Sequence, residues 1–184
     1  SLLSIRCVQG YRFGGLIFMT KEIILAGFGG QGVLFAGKIL AYCGLIDEKE
    51  VSWLPSYGPE MRGGTANCSV CISDEIVGSP LVTEPNIFVA MNQPSYIKFI
   101  EKVQSGGKAF IDSTLVKKKS DRDDIECHYI PATQIAEDNG LQGMANIVLL
   151  GNAIKETGLC AIDTIRKAFE SVVPPKKANL IDAN

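Results

Sequence analysis

The chain is short of the residues from which most catalytic centres are built. It holds one histidine, His128, and one tryptophan, Trp53, in 184 residues. A lone histidine in ECHYIP has no histidine partner and joins no serine–histidine–acid set, so it reads as a packed or edge residue rather than a ligand or base. Charge is modest: 21 % of residues are charged and the net charge is −2, which gives no electrostatic footprint for nucleic acid. The basic run Lys117-Lys118-Lys119 is followed by Asp121, Arg122, Asp123 and Asp124, a mixture of signs that suits a solvated loop. No apolar run approaches the roughly 18 residues of a membrane span. Of six cysteines (Cys7, Cys43, Cys68, Cys71, Cys127, Cys160), only Cys68 and Cys71 form a CxxC, and no second pair completes a zinc or iron–sulfur set. In a strand their sulfurs face opposite sides. The opening SLLSIRCVQGYRFGGLIF lacks the basic-then-apolar order of a secretory signal. Free thiols in a reducing cytoplasm are therefore expected. Met19 begins MTKEIILAGFGG like a natural start, so residues 1–18 read as an upstream extension and 19–184 as one domain.

What is present is core: 46 % of residues are hydrophobic. Apolar runs predict strands at Glu22–Phe28, Val51–Ser56, Thr65–Ser73, Asn86–Met91, Lys108–Ser113 and Ile125–Ile130. Glu75–Val82 reads as a returning hairpin arm. Helical spacing predicts Val33–Gly44, ended by Gly44, then Pro94–Gln104, Thr133–Asn139, Ile147–Gly158 and Ala161–Val173. A last helix is expected to begin at Ala178. Strands alternating with helices indicate an α/β fold, here a three-layer α/β/α Rossmann-like domain. The β-runs between residues 50 and 82 have no helix between them, so the sheet is expected to be mixed and mostly parallel.

Two loops stand out. GFGGQG, Gly27 to Gly32, follows the first strand and opens the first helix with GxGxxG spacing. Glycines there allow a tight turn and close approach to backbone, and the helix N-terminus favours an anion. Gly27, Gly29, Gly30, Gln31 and Gly32 are the candidate cofactor-binding residues. A dinucleotide site also wants an acid at the end of the second strand. That strand ends LPSY, and Asp47, Glu48 and Glu50 fall before it. The second loop is YGPEMRGG. Gly63 and Gly64 can lie against another surface, Pro59 stiffens the approach, and Glu60 and Arg62 need partners if buried. Tyr57 adds area and a hydroxyl. The loop has no nucleophile beside a base, so it suits recognition. Asn146, after Gly143-Met144-Ala145, reads as an N-cap first and a site residue second. Asp112, Ser113 and Thr114 end a strand where open α/β sheets place ligands.

Taken together, KEIILAGFGGQGVLFAGKIL and YGPEMRGGTANCSVCIS resemble the gamma subunit of the 2-oxoacid:ferredoxin oxidoreductases, which act on pyruvate, 2-oxoglutarate or branched-chain 2-oxo acids. GGQG matches at Gly29–Gly32. The YGxExRGG pattern matches at Tyr57, Gly58, Glu60, Arg62, Gly63 and Gly64. Asn92 with Pro94-Ser95, Ile130-Pro131-Ala132 and GMANIVLLG at 143–151 extend the resemblance over about Thr20 to Asn184. The chain departs from it at Cys71, where the family often carries a basic or polar residue, and no redox role is assigned to the CxxC.

The resemblance implies an accessory subunit of an enzyme that oxidatively decarboxylates a 2-oxo acid and joins the acyl group to coenzyme A, with electrons passing to ferredoxin. Thiamine diphosphate, Mg²⁺ and the iron–sulfur clusters belong to partner alpha, beta and delta subunits. This chain has no Gly-Asp-Gly run ending in paired asparagines. It implies no catalytic residue and no metal here. Tyr57, Gly58, Glu60, Arg62, Gly63 and Gly64 become the interface, Gly27 and Gly29–Gly32 a candidate coenzyme A contact, and Asn92 and Asn146 the site's edge. The isolated chain is expected to be inactive, and to dimerise if it covers the same surface alone. The competing readings are a self-sufficient dinucleotide-dependent oxidoreductase, a regulatory nucleotide- or coenzyme A-binding module, and the related indolepyruvate oxidoreductase beta subunit.

Overall fold

The computed structural model describes residues 12–13, 16–17, 19–56 and 65–173. The YGPEMRGG loop, both prolines at 174–175 and the expected last helix lie outside these residues. A small ladder pairs β1 (Arg12–Phe13) with β2 (Leu16–Ile17). The main sheet contains β3 (Thr20–Phe28), β4 (Glu50–Ser56), β5 (Thr65–Ser73), β6 (Ile87–Ala90), β7 (Lys108–Asp112) and β8 (Glu126–Ile130), in the order β4-β5-β3-β6-β7-β8. Five strands run one way. Only β5 is reversed, antiparallel to both β3 and β4. The mixed, mostly parallel sheet expected from the sequence is the one observed.

Alternation along the strands sorts side chains to two faces. Ile23, Leu25, Cys68, Val70, Ile72, Ile87, Val89 and Phe110 form one core with α1 (Val33–Ile46), α4 (Ala145–Thr157) and α5 (Ile162–Val172). Ile24, Ala26, Cys71, Phe88, Ala90, Ala109 and Ile111 form the other, with α2 (Gln93–Phe99), a 3₁₀ turn at Ile100–Lys102, and the loop residues Val82, Val116 and Ile125. Cys68 and Cys71 do face opposite cores. Burial pushes the Cys68 thiol up to about 12 and raises that of Cys71, so neither is poised for redox chemistry. The short α3 (Ala132–Asp138) follows β8 and lies against α4. His128 stacks on Phe110 at 4.8 Å and points Nε2 at Glu126, 2.8 Å away, on the edge strand.

Three expectations fail. The Glu75–Val82 arm is not a strand. The segment is irregular, and its polar groups are met locally: Ser73 Oγ accepts from Glu75 N at 3.1 Å, and Ser79 Oγ from Leu81 N at 3.2 Å. Gly44 does not end the first helix, which runs on to Ile46 and closes at Asp47. It is a packing glycine instead, because a Cβ there would lie 2.6 Å from Val51 Cγ2. Asn146 is not a cap: Met144 holds that position and α4 begins at Ala145.

The charged loop expected at Lys117–Asp124 is present, but Arg122 is not an idle surface charge. Its Nη1 donates to the carbonyls of Ile100 and Val103 at 3.0 and 2.8 Å, closing the 3₁₀ turn, while Nε and Nη2 grip Asp124. That guanidinium holds the Asp124 carboxyl down at about 2.

Helix α1 approaches β4 and β5 through Gly37 as well. A Cβ at Gly37 would sit 2.4 Å from Cys68 Sγ and 3.1 Å from Trp53 Nε1. Alanine normally favours a helix over glycine by about 1 kcal/mol, and overpacking costs about 1–3 kcal/mol. Gly37→Ala should therefore lose about 1 kcal/mol net in a denaturant titration, with Cys68→Ala in the same chain recovering most of it. A stabilised Gly37→Ala chain would show that the helix can retreat.

Candidate functional site

The parallel strands end together, and the candidate residues collect on that edge. β3 ends at Phe28, and the chain turns through Gly29–Gly32 into α1. Gly30 and Gly32 take φ of +93° and +74°, a region only glycine adopts freely. Gly29 and Gly30 are exposed, and no atom lies within 4 Å of a Cβ built on Gly30. Gly32 is the left-handed N-cap of α1 and supplies no side-chain cap. The first intrahelical bond runs from Ala36 N to Gly32 O at 3.0 Å, leaving the N–H groups of the first turn directed outward.

The turn is organised by amides. Gln31 folds back beneath it, and its Oε1 accepts from Phe28 N at 2.6 Å and from Asn92 Nδ2 at 3.2 Å. Its Nε2 donates to Met91 O at 3.1 Å. This explains Gly27, where a Cβ would lie 2.8 Å from Gln31 Oε1. Asn92 caps α2 by accepting from Ser95 N at 2.8 Å, and is 2 % exposed. Asn146, 4 % exposed, donates Nδ2 to Gly32 O at 3.2 Å and fills the space a Cβ on Gly32 would need. Its Oδ1 is buried with no hydrogen-bond partner among the described residues. Gln31, Asn92 and Asn146, far apart in sequence, thus meet around one turn.

The second loop lies outside the described residues, so Tyr57, Gly58, Glu60, Arg62, Gly63 and Gly64 carry no geometry. Its flanking strands do. In the register of β3 against β5, Thr65, immediately after the loop, pairs with Phe28, immediately before Gly29. Ser56, immediately before the loop, pairs with Asn67. The two sequence motifs therefore leave the sheet from adjoining positions on one edge.

Asp112, also on this edge, is fully buried and already occupied. It accepts from Thr114 N and Thr133 N through Oδ1, and from the Thr133 hydroxyl through Oδ2 at 2.5 Å. It ties β7 to α3 rather than facing a ligand. Among the described residues no group of three or more histidine, cysteine or acidic side chains could hold a metal ion.

A dinucleotide would find little here. That fold places the strand after the first helix beside the first strand, with its acid near the glycine turn. Here β5 is inserted between β3 and β4, and β4 ends at Ser56 on the sheet's edge. What sequence reasoning missed was the destination of Gln31 and Asn146. An amide directly before the last glycine was visible, but not that it would turn inward.

The sequence matches the Pyruvate ferredoxin/flavodoxin oxidoreductase family over residues 22–184. It is 40 % identical over 169 residues to the ketoisovalerate oxidoreductase subunit VorA of Methanothermobacter thermautotrophicus, covering 91 % of this chain and 35 % of that protein. The chain thus spans about a third of that relative's length. It is 41 % identical over 159 residues to the 2-oxoglutarate synthase subunit KorC of Methanocaldococcus jannaschii, covering 85 % of each. Among solved structures, the keto/oxoacid ferredoxin oxidoreductase gamma subunit from Geobacter sulfurreducens superposes with a TM-score of 0.76 at 30 % identity, covering 89 % of this chain and 92 % of that one.

Substitutions at Gln31 test the amide network. Gln31→Leu removes the acceptor for Phe28 N–H and the donor to Met91, and should cost about 1–3 kcal/mol. Hydrogen exchange should speed up at Phe28. Gln31→Glu keeps the acceptor and should cost less than Gln31→Leu. Equal stability of all three chains would show that the turn stands without the amide.

Proposed function

The chain belongs to the Pyruvate ferredoxin/flavodoxin oxidoreductase family, and on that premise we propose that it is the gamma-type accessory subunit of a 2-oxoacid:ferredoxin oxidoreductase. The complex would oxidatively decarboxylate a 2-oxo acid to its acyl-coenzyme A with reduction of ferredoxin. The observation that carries this reading is the match to KorC over 85 % of each chain, together with a gamma-subunit fold over 89 % of this chain and 92 % of the solved one. The family match runs from residue 22 to residue 184.

On this reading the reaction is carried elsewhere. Thiamine diphosphate, Mg²⁺ and iron–sulfur clusters are assigned to partner alpha, beta and delta subunits. On this reading the complex would work in the cytoplasm. No helix among the described residues is long and apolar enough to cross a membrane. Coenzyme A supplies the thiol that accepts the acyl group. The features that fit one of its phosphates are the exposed Gly29-Gly30 backbone and the uncapped first turn of α1. YGPEMRGG is assigned to the docking surface, with Glu60 and Arg62 in polar contacts across it. Its anchors beside the glycine turn support that role, as do the side chains of Trp53 and Leu54 on the neighbouring edge strand, 37 % and 38 % exposed.

Anaerobic affinity purification of the chain from its own cells tests the proposal. Recovery with a thiamine-binding chain and a cluster-bearing chain, and coenzyme A-dependent dye reduction with one 2-oxo acid, is the expected result. Arg62→Ala should weaken that assembly by roughly tenfold or more while leaving the chain folded. A chain that returned alone and bound NAD(P)H in titration would overturn the reading; an Arg62→Ala complex of unchanged affinity would remove Arg62 from the interface.

A further inference from the structure

The main sheet has two edges, and they are guarded differently. Strand β8 begins with Glu126, which pairs with Lys108 at 2.9 Å and with His128 at 2.8 Å, the charged protection that sheet edges usually carry. Strand β4 has no charged residue from Val51 to Ser56, and among the described residues no strand pairs with its outer side. The way its backbone points follows from the rest of the sheet. Asn86 N donates to Glu22 O and Met91 N to Ala26 O, both at 2.9 Å, so Glu22, Ile24 and Ala26 turn their backbone groups toward β6. Ile23 and Leu25 therefore bond β5 at Val70 and Cys68. Ser69 and Cys71 turn the other way and bond β4 at Leu54 and Ser52. By the same alternation Val51, Trp53 and Pro55 direct theirs outward. Pro55 confirms it, because a residue without an N–H fits only where the ladder asks for none.

We propose that this edge is an interaction surface for a second copy of the chain, the two β4 strands pairing antiparallel about a twofold axis at Ser52. Val51 N–H then donates to Trp53 C=O of the second copy, and Trp53 N–H to its Val51 C=O. The axis repeats both bonds, so every outward donor of the strand is met. Other registers do worse. An axis at Trp53 sets the Pro55 ring against Val51. An axis at Val51 sets Trp53 against Lys49, whose N–H is already given to Gly44 O at 2.9 Å. The pairing joins the two sheets into one.

Ser52 is the second observation. Its hydroxyl oxygen is buried with no hydrogen-bond partner among the described residues. The Cys71 thiol, opposite it in the ladder, is close enough to feel the hydroxyl, yet is directed at Ser79 O, 3.8 Å away. On the axis, Ser52 faces Ser52 of the second copy in the closely spaced kind of pair, with Cβ atoms about 4.5–5.5 Å apart. A turn about its single χ1 torsion lets one hydroxyl donate to the other. The contact is small beside a standard interface of about 1,600 Å², so the dimer forms reversibly. Each Ser56 stands four residues from the axis, on opposite sides of it, which keeps the anchors of the two YGPEMRGG loops apart from the pairing.

The test uses the full chain at increasing concentration. Sedimentation equilibrium should show a reversible monomer–dimer equilibrium below about 1 mM. Amide exchange followed by NMR should slow at Val51 and Trp53 as the dimer forms, while Ser52 and Leu54, already bonded to β5, exchange alike in dilute and concentrated chain. Ser52→Lys sets like charges across the axis and should raise the dissociation constant by about tenfold or more. Ser52→Ala keeps the backbone pairing, loses the hydroxyl contact and should raise it by up to about fivefold. A dimer in which Val51 and Trp53 exchange as fast as in the monomer overturns the proposal, and so does a folded Ser52→Lys chain that dimerises as tightly as wild type. The exchange pattern needs no variant, so it decides the matter even where Ser52→Lys does not fold. A chain that stays monomeric over this range also overturns the proposal; protection of Val51 and Trp53 that then appears only in an assembled complex would give the edge to a strand of another subunit.

Discussion

The edge of the sheet that carries the candidate site depends on one side-chain amide, that of Gln31. A sharp turn between a buried strand and a helix leaves backbone groups that neither element can satisfy. Gln31 takes the Phe28 N–H and the Met91 carbonyl at once, and accepts from Asn92 as well. Asn92 is thereby held in the orientation that caps α2. The turn, the end of β6 and the start of α2 become one body. Gly27 follows from this, since any side chain there would displace the amide. The glycines of the motif thus serve different ends: Gly27 makes room for Gln31, Gly32 makes room for Asn146, and Gly30 supplies a positive φ in open space.

The second constraint is the reversed strand β5. Pairing along its full length with β3, it moves β4 out to the edge and brings Thr65 beside Phe28. Two changes follow. The crossover from β3 through α1 to β4 must now span an intervening strand, and α1 has to lie close on β5 and β4. Gly37 and Gly44, both on that face, permit the approach against Cys68 and Val51. The place where a dinucleotide fold keeps its ribose-binding acid is taken by an antiparallel neighbour.

Most strands and helices were legible because apolar periodicity and a buried sheet leave little choice of register. Strand β5 was read with both bounds correct. The errors fall where local chemistry outbid the pattern. Glu75–Val82 reads as an arm returning along β5, yet both sides of β5 are taken by β3 and β4, and its polar groups close on Ser73 and Ser79. Gly44 has the form of a helix stop, but its missing side chain serves packing. Asn146 stands where a cap is expected, and its amide is used instead across 114 residues of chain. The glycine motif was visible as a turn before an anion-favouring helix. Its closure by Gln31 was not, because that rests on Met91 and Asn92, which no local pattern joins to it.

The comparisons bear on what such an edge can do. Identity is 41 % to a 2-oxoglutarate synthase subunit and 40 % to a ketoisovalerate oxidoreductase subunit, proteins named for different substrates. A domain that differs so evenly from both is a poor place to keep the discrimination between a carboxyl-bearing and a branched apolar side chain, which needs dedicated polar groups in one case and an apolar pocket in the other. The side chains of Gln31, Asn92 and Asp112 are already spent on internal bonds. What the edge still offers is backbone: exposed Gly29 and Gly30, the first turn of α1, and the loop leaving beside them. Backbone presented in a fixed shape recognises what enzymes of one family share, a common cofactor or a common neighbour, rather than what sets their substrates apart. On the proposed reading, that is why a domain without a catalytic constellation among its described residues keeps its turn so firmly braced.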